Sequence, residues 1–151
     1  MKNVQNTLSV MFKIRPGEGA PTLLLLIHSF FMGFSLVFLE TASYALFLTR
    51  FNIETLPYVY IISAVITTAC GLIYGKLEER LPFARLLILT VSILFLSVLV
   101  FYIGLTTAAD PRLYLPLVVW YHVAFVLITL EFWSLANRLL NVRQGKRLFG
   151  L

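Results

Sequence analysis

The residues best placed to do chemistry are two glutamates, Glu40 and Glu131, each inside a long apolar stretch. They are the only acidic residues in any such stretch. A carboxylate in hydrocarbon is costly, so residues of this kind are rare and usually functional. Their settings also repeat. Leu39-Glu40-Thr41-Ala42-Ser43-Tyr44-Ala45 returns as Leu130-Glu131-Phe132-Trp133-Ser134-Leu135-Ala136, with Leu, Glu, Ser and Ala in register. A rare residue recurring in one local setting points to the internal repetition that secondary transporters use. Three roles stay open for each glutamate. One is proton coupling, because a carboxyl in an apolar cavity can alternate between neutral and charged forms. Another is a gate contact with a base elsewhere in the bundle. The third is a structural tie between helices.

Other polar residues cluster with the glutamates on helical wheels. Ser29, Gly33, Glu40 and Ser43 form one polar and small stripe on the first apolar stretch, expected to face a bundle or a central cavity. Gly33 could equally be a close-packing contact. Glu131, Ser134 and Arg138 share a face of the last stretch, while His122 and Thr129 point the opposite way, and Asn137 is a further candidate for contact with solute. His122 is a candidate interhelical hydrogen-bond donor or proton relay. Tyr58, Tyr60, Tyr102, Tyr114, Trp120 and Tyr121 read as interface-belt or packing residues rather than as a binding box. Two histidines and one cysteine are too few for a metal site. There is no nucleophile triad and no glycine-rich phosphate loop. The expectation is therefore no enzyme, no cofactor and no metal.

The elements that must hold these residues are membrane helices. The chain has 151 residues, 60% hydrophobic and 13% charged, with a mean hydropathy of +0.90. A soluble domain has about 45–50% apolar and about 25% charged residues, so this is an all-α integral membrane protein whose first partner is the lipid bilayer. Four spans are expected at about 22–49, 57–75, 86–108 and 113–137, each near the roughly 20 residues that cross a bilayer. Pro57 suits a first helical turn, and Asp110 with Pro111 suits the entry to the fourth span.

Charge sets the direction. Of 12 basic residues, only Arg50 and Arg112 lie in the first and third connections. The rest fall before the first span, between the second and third, and after the fourth, which makes that side cytoplasmic and places both termini there. The net charge of +5 is spent on orientation, and no nucleic-acid partner is expected. Residues 1–20 form a cytoplasmic leader. Within it, residues 2–14 are either an amphipathic interfacial helix or a frayed polar segment. Residues 21–151 form the transmembrane domain. With the first span running outward and the fourth inward, Glu40 lies about 7 Å outward of its helix centre. Glu131 lies about 9 Å inward of its own, as an in-plane pseudo-two-fold demands.

Two segments resemble known families. Gly75-Lys76-Leu77-Glu78-Glu79-Arg80-Leu81-Pro82-Phe83-Ala84-Arg85 resembles the cytoplasmic loop signature of the major facilitator superfamily: Gly75, Leu77, Arg80 and Arg85 match, and Glu79 stands at the acidic position. Gly75 is expected to end the second helix tightly. Phe132-Trp133-Ser134-Leu135-Ala136-Asn137-Arg138, followed by Lys146 and Arg147, is similar to the fourth helix and next loop of the ATP:ADP antiporter (nucleotide translocase) family and its bacterial relatives. The leader Arg15-Pro16-Gly17-Glu18 is similar too, so the resemblance spans nearly the whole chain. It implies the N-terminal four-helix portion of a major-facilitator-type bundle with inverted triplet repeats, truncated before a fifth span. The missing C-terminal helices would be partners, the location a bacterial inner membrane, and the cargo a small-molecule solute, with a nucleotide as one candidate. One departure matters. The family carries a charged cluster late in the first helix, and neutral Ser43 falls where it has lysine, so this half offers an anionic nucleotide no cation inside the spans. A membrane anchor or sensor without transport, or an inactive remnant, are the competing readings.

Overall fold

In a computed structural model, residues 18–108 and 110–140 are described. Residues 1–17 of the leader and the residues after 140, including Arg143, Lys146 and Arg147, lie outside them, and the last two leader residues, 19 and 20, open α1. The long elements are α1 (Gly19–Leu48), α2 (Leu56–Arg80), α3 (Phe83–Ile103) and α4 (Tyr114–Leu139). Among the described residues there is no strand. With their flanking turns, four helical stretches are long and apolar enough to cross a membrane, by length and composition: 30, 28, 25 and 29 residues, with hydropathies from 1.8 to 2.8. At 1.5 Å per residue the shortest reaches about 37 Å, beyond a hydrocarbon core of about 30 Å.

The chemistry of the helix ends follows from local residues. Pro57 sits in the first turn of α2, where its missing N–H is no loss. Asp110 caps the single turn Pro111–Leu113 that leads into α4, its carboxylate accepting from the Arg112 N–H at 2.9 Å. Replacing Asp110 by Ala should cost about 1 kcal/mol, read as a lower melting temperature in detergent.

Gly75 does not end its helix. α2 continues five residues past it to Arg80, because Lys76 to Arg80 are mostly good helix formers. The stop comes from Pro82, which forces the preceding residue out of the helical region: Leu81 is extended, at φ −108 and ψ 142. Glu79 and Arg80 therefore ride on α2 and Arg85 on the first turn of α3. Gly33 makes no close-packing contact among the described residues either, since a Cβ there would meet nothing within 4 Å.

The chain divides into two compact units. The first contains residues 18–33 and 131–140. Its core is Leu25, Ala136 and Leu140, flanked by Phe132, Leu135 and Leu139, and His28 stacks on Phe132 with centroids 6.0 Å apart. The second unit is Phe34–Leu130. Its core is Phe47, Val59, Val118 and Val119, flanked by Tyr44, Phe51, Leu56 and Leu115. Large apolar side chains such as Phe30, Phe38, Val65, Ile88 and Phe95 are exposed, as lipid-facing positions are.

Hydroxyls inside the helices are mostly satisfied at home. Ser29 donates to Leu25 O, Thr41 to Val37 O, Ser43 to Leu39 O, Thr90 to Leu86 O and Thr129 to Phe125 O. In hydrocarbon the preceding turn's carbonyl is the nearest acceptor. The expected polar stripe on the first helix thus spends its serine hydroxyls on its own backbone.

Candidate functional site

The second unit gathers a carboxylate, an imidazole and three phenols from three helices. α1 supplies Glu40 and, one turn later on the same face, Tyr44. α2 supplies Tyr60. α4 supplies the doublet Tyr121 and His122. These residues lie about 6–12 Å inside their helix ends at 1.5 Å per residue.

His122 is the hub. Its Nδ1 lies 2.9 Å from the Val118 carbonyl oxygen, one turn back on α4. A carbonyl can only accept, so Nδ1 carries the hydrogen and donates. In the neutral ring Nε2 is then an acceptor, and the Tyr44 hydroxyl, 3.4 Å away, donates to it. This bond ties α1 to α4. Three phenol rings stand edge-on to the imidazole. Their centroids lie 6.3 Å away for Tyr44, 5.8 Å for Tyr60 and 5.0 Å for Tyr121, with interplanar angles of 77°, 86° and 64°. Tyr44 and Tyr121 also meet edge to face, at 6.3 Å and 69°. Such geometry brings the positive edge of one ring toward the negative face of the next.

The hydroxyls extend this network. That of Tyr60 neighbours that of Tyr44. That of Tyr121 lies beside the Glu40 carboxylate. Tyr121 is buried while Tyr60 is 48% exposed, and Glu40 is exposed as well. Tyr44→Phe should remove one interhelical hydrogen bond and cost about 0.6 kcal/mol, the average for such bonds in membranes; a melting curve in detergent measures it.

The other candidates lie elsewhere. Ser43 is fully buried in the second unit, its hydroxyl held by Leu39 O. Glu131 belongs to the first unit and is buried, at 3% exposure. No described side chain forms an ion pair or hydrogen bond with it. Ser134 is half-buried and Asn137 exposed. Glu79, Arg80 and Arg85 are exposed at the α2–α3 turn. Among the described residues no three His, Cys, Asp or Glu could hold a metal.

Sequence reasoning named His122 and Glu40 as candidates but read Tyr60 and Tyr121 as belt or packing residues, and it did not single out Tyr44 as a site residue. The spacing of Glu40 and Tyr44, one turn apart, was a usable signal. Tyr60 had none, because its role depends on which face of α2 meets α4. Tyr58 and Tyr102 are exposed, at 68% and 65%. The second unit also holds an apolar cavity of about 180 Å³ among α2, α3 and α4, lined by Cys70, Leu86, Thr90, Trp120 and Val123 among others. Compared with protein-family models, with curated proteins and with solved structures, the chain matches none.

Proposed function

We propose that the chain is the N-terminal part of a secondary transporter of the major facilitator type, moving a small-molecule solute by alternating access. The observation that carries this reading is the Glu40–Tyr121–Tyr60–Tyr44–His122 cluster on helices long and apolar enough to span a membrane. Polar and ionisable groups at such depth are expensive and mark solute or proton paths. The recurrence of the Glu40 setting around Glu131 supports the inverted-repeat part of the proposal. The resemblances at residues 75–85 and 132–147 support the facilitator type, with further helices completing the bundle. The positive-inside bias supports cytoplasmic termini, in a bacterial inner membrane by resemblance. A nucleotide is one candidate cargo, and the lack of an intramembrane cation favours a less anionic solute.

The test is exchange in liposomes containing the full-length protein. Radiolabelled ADP, amino acids, sugars and organic acids are offered in turn. The expected result is exchange of one class, with Glu40→Gln lowering it at least tenfold in protein that still melts cooperatively. A wild-type protein that exchanges nothing in the panel would favour the membrane-anchor reading.

A further inference from the structure

We infer that the apolar cavity among α2, α3 and α4 seats an acyl chain of an anionic phospholipid, whose phosphate rests on Arg80 and Arg85. The site is separate from the His122 cluster, and nothing in it requires transport.

Two independent features meet at one end of the second unit. The first is the cavity itself, of about 180 Å³. Its lining runs from Cys70 to Leu77 on α2 and from Leu86 to Ile93 on α3, at the three- and four-residue spacings of one helix face. Trp120 and Val123 close it from α4. The floor is buried at Tyr74, Leu86, Thr90 and Val123, while the rim is exposed at Ile73, Leu89 and Ile93. The cavity is thus a cleft that opens on the surface of the helices. The Thr90 hydroxyl donates to Leu86 O at 2.9 Å, so it is spent within its own helix and the lining acts as hydrocarbon. A cavity of about 150 Å³ takes one benzene, so this one has room for about six chain carbons. On helices long and apolar enough to span a membrane, the hydrocarbon that meets the rim is a lipid tail.

The second feature is charge. Leu77 is the last lining residue on α2, and Arg80 follows it by about 4.5 Å along the helix. Leu86 is the first lining residue on α3, and Arg85 directly precedes it. Both arginines are exposed, and neither is ion-paired with a described residue. Lys76, also exposed, stands one turn before Arg80 on the same face of α2. Two carboxylates share the turn. Glu79 lies on the side of α2 away from the cleft, and Glu78 lies on the flank opposite Lys76 and Arg80. Guanidinium forks suit phosphate oxygens. On the positive-inside reading this turn lies in the cytoplasmic leaflet, where basic groups between membrane helices hold anionic headgroups. A phosphate head and a hydrocarbon tail match the two features together; a free phosphate would use the cations and leave the cleft without a role. The chain gains little by leaving one apolar medium for another. Headgroup charge therefore decides which lipid stays, at about fivefold per basic residue.

The experiment reads Trp120 in the full-length protein, held in nanodiscs of phosphatidylcholine with a rising share of phosphatidylglycerol. One lipid at a time carries bromine on its chains, which quenches indole emission on contact. The emission missing in W120F is that of Trp120. Brominated phosphatidylglycerol should quench it saturably, with a preference of about twentyfold over phosphatidylcholine, as two arginines would give. R80Q combined with R85Q should bring the preference below about fivefold. R50Q, at an exposed position in the first connection, should leave it unchanged. L89F, at the exposed rim, fills the cleft and should abolish the preference. Should a variant fail to melt cooperatively, salt raised from about 0.05 to about 0.5 M on the wild type replaces it and should lower the preference severalfold. Equal quenching by the two lipids overturns the inference, as does a preference unmoved by salt or by loss of both arginines. A preference that survives in L89F places the lipid on surface charge alone and overturns the cleft. Loss of the preference on adding millimolar inorganic phosphate marks a free-phosphate site and overturns the lipid.

Discussion

Phe47→Ala should cost about 3 kcal/mol of stability, the largest loss expected from any single truncation here. Phe47 has no exposed surface. It stacks on Phe51 with centroids 4.8 Å apart and 13° between planes, and it packs with Val59 and Val118 from α2 and α4. One side chain thus holds three helices at the level of the Tyr44–His122 bond. In soluble cores Phe→Ala costs about 3–5 kcal/mol, part of it transfer from water and part the cavity left behind. Lipid tails are as apolar as a side chain, so the transfer part shrinks in a membrane and the packing part remains. That places the effect at the lower end of the range. The measurement is reversible unfolding in mixed detergent micelles. Phe30→Ala, at 66% exposure, is the control and should change stability by less than about 0.5 kcal/mol. Equal losses for the two would mean that Phe47 is not a packing centre. Because Phe47 lies next to Tyr44 in the core, the ¹⁵N signal of His122 in F47A should also broaden as the α1–α4 contact loosens.

The number and placement of helices were legible in the sequence, and the reason is specific to membranes. A span needs only length and continuous apolarity, both of which are local, so the expected 22–49 and 113–137 correspond to Gly19–Leu48 and Tyr114–Leu139. Proline positions were legible for the same reason: Pro57 and Pro111 act through their own rings and neighbours. Gly75 misled because a glycine permits a left-handed helix end without requiring one, whereas Pro82, seven residues later, compels the break. The serine stripe misled in a different way. Wheel position told where Ser29 and Ser43 point along the helix, but the i−4 carbonyl competes for every hydroxyl and won at both.

The site was only half legible. Hydropathy shows that a polar residue in a span is expensive, which singled out Glu40, Glu131 and His122. It cannot show which faces of separate helices meet. Exposed and core positions in these helices are mostly apolar alike, so the usual contrast between a polar outside and an apolar inside is missing. Tyr60 and Tyr121 differ from Tyr58 and Tyr102 only in what lies across from them, and that is a tertiary fact.

Glu131 gives the second large effect, and it runs in two directions at once. The residue is 3% exposed, and no described side chain compensates its carboxyl. A leucine at that position would exchange an acidic group, which costs about 3 kcal/mol at a helix centre and less toward the ends, for a side chain that favours hydrocarbon. Glu131→Leu should therefore stabilise the protein by about 1–2 kcal/mol in detergent unfolding and raise the efficiency with which α4 inserts. The same change should lower solute exchange at least tenfold if Glu131 belongs to the transport path. Stability gained where activity is lost is the mark of a group retained for function against its folding cost. A purely structural glutamate predicts the reverse: a tie between helices, once cut, leaves the variant less stable. Glu40→Leu sharpens the contrast. Glu40 is exposed beside Tyr121, so its loss should leave the core packing of the second unit untouched and the melting temperature close to that of the wild type. The two leucine variants thus separate a carboxyl that opposes the fold from one that serves the cluster.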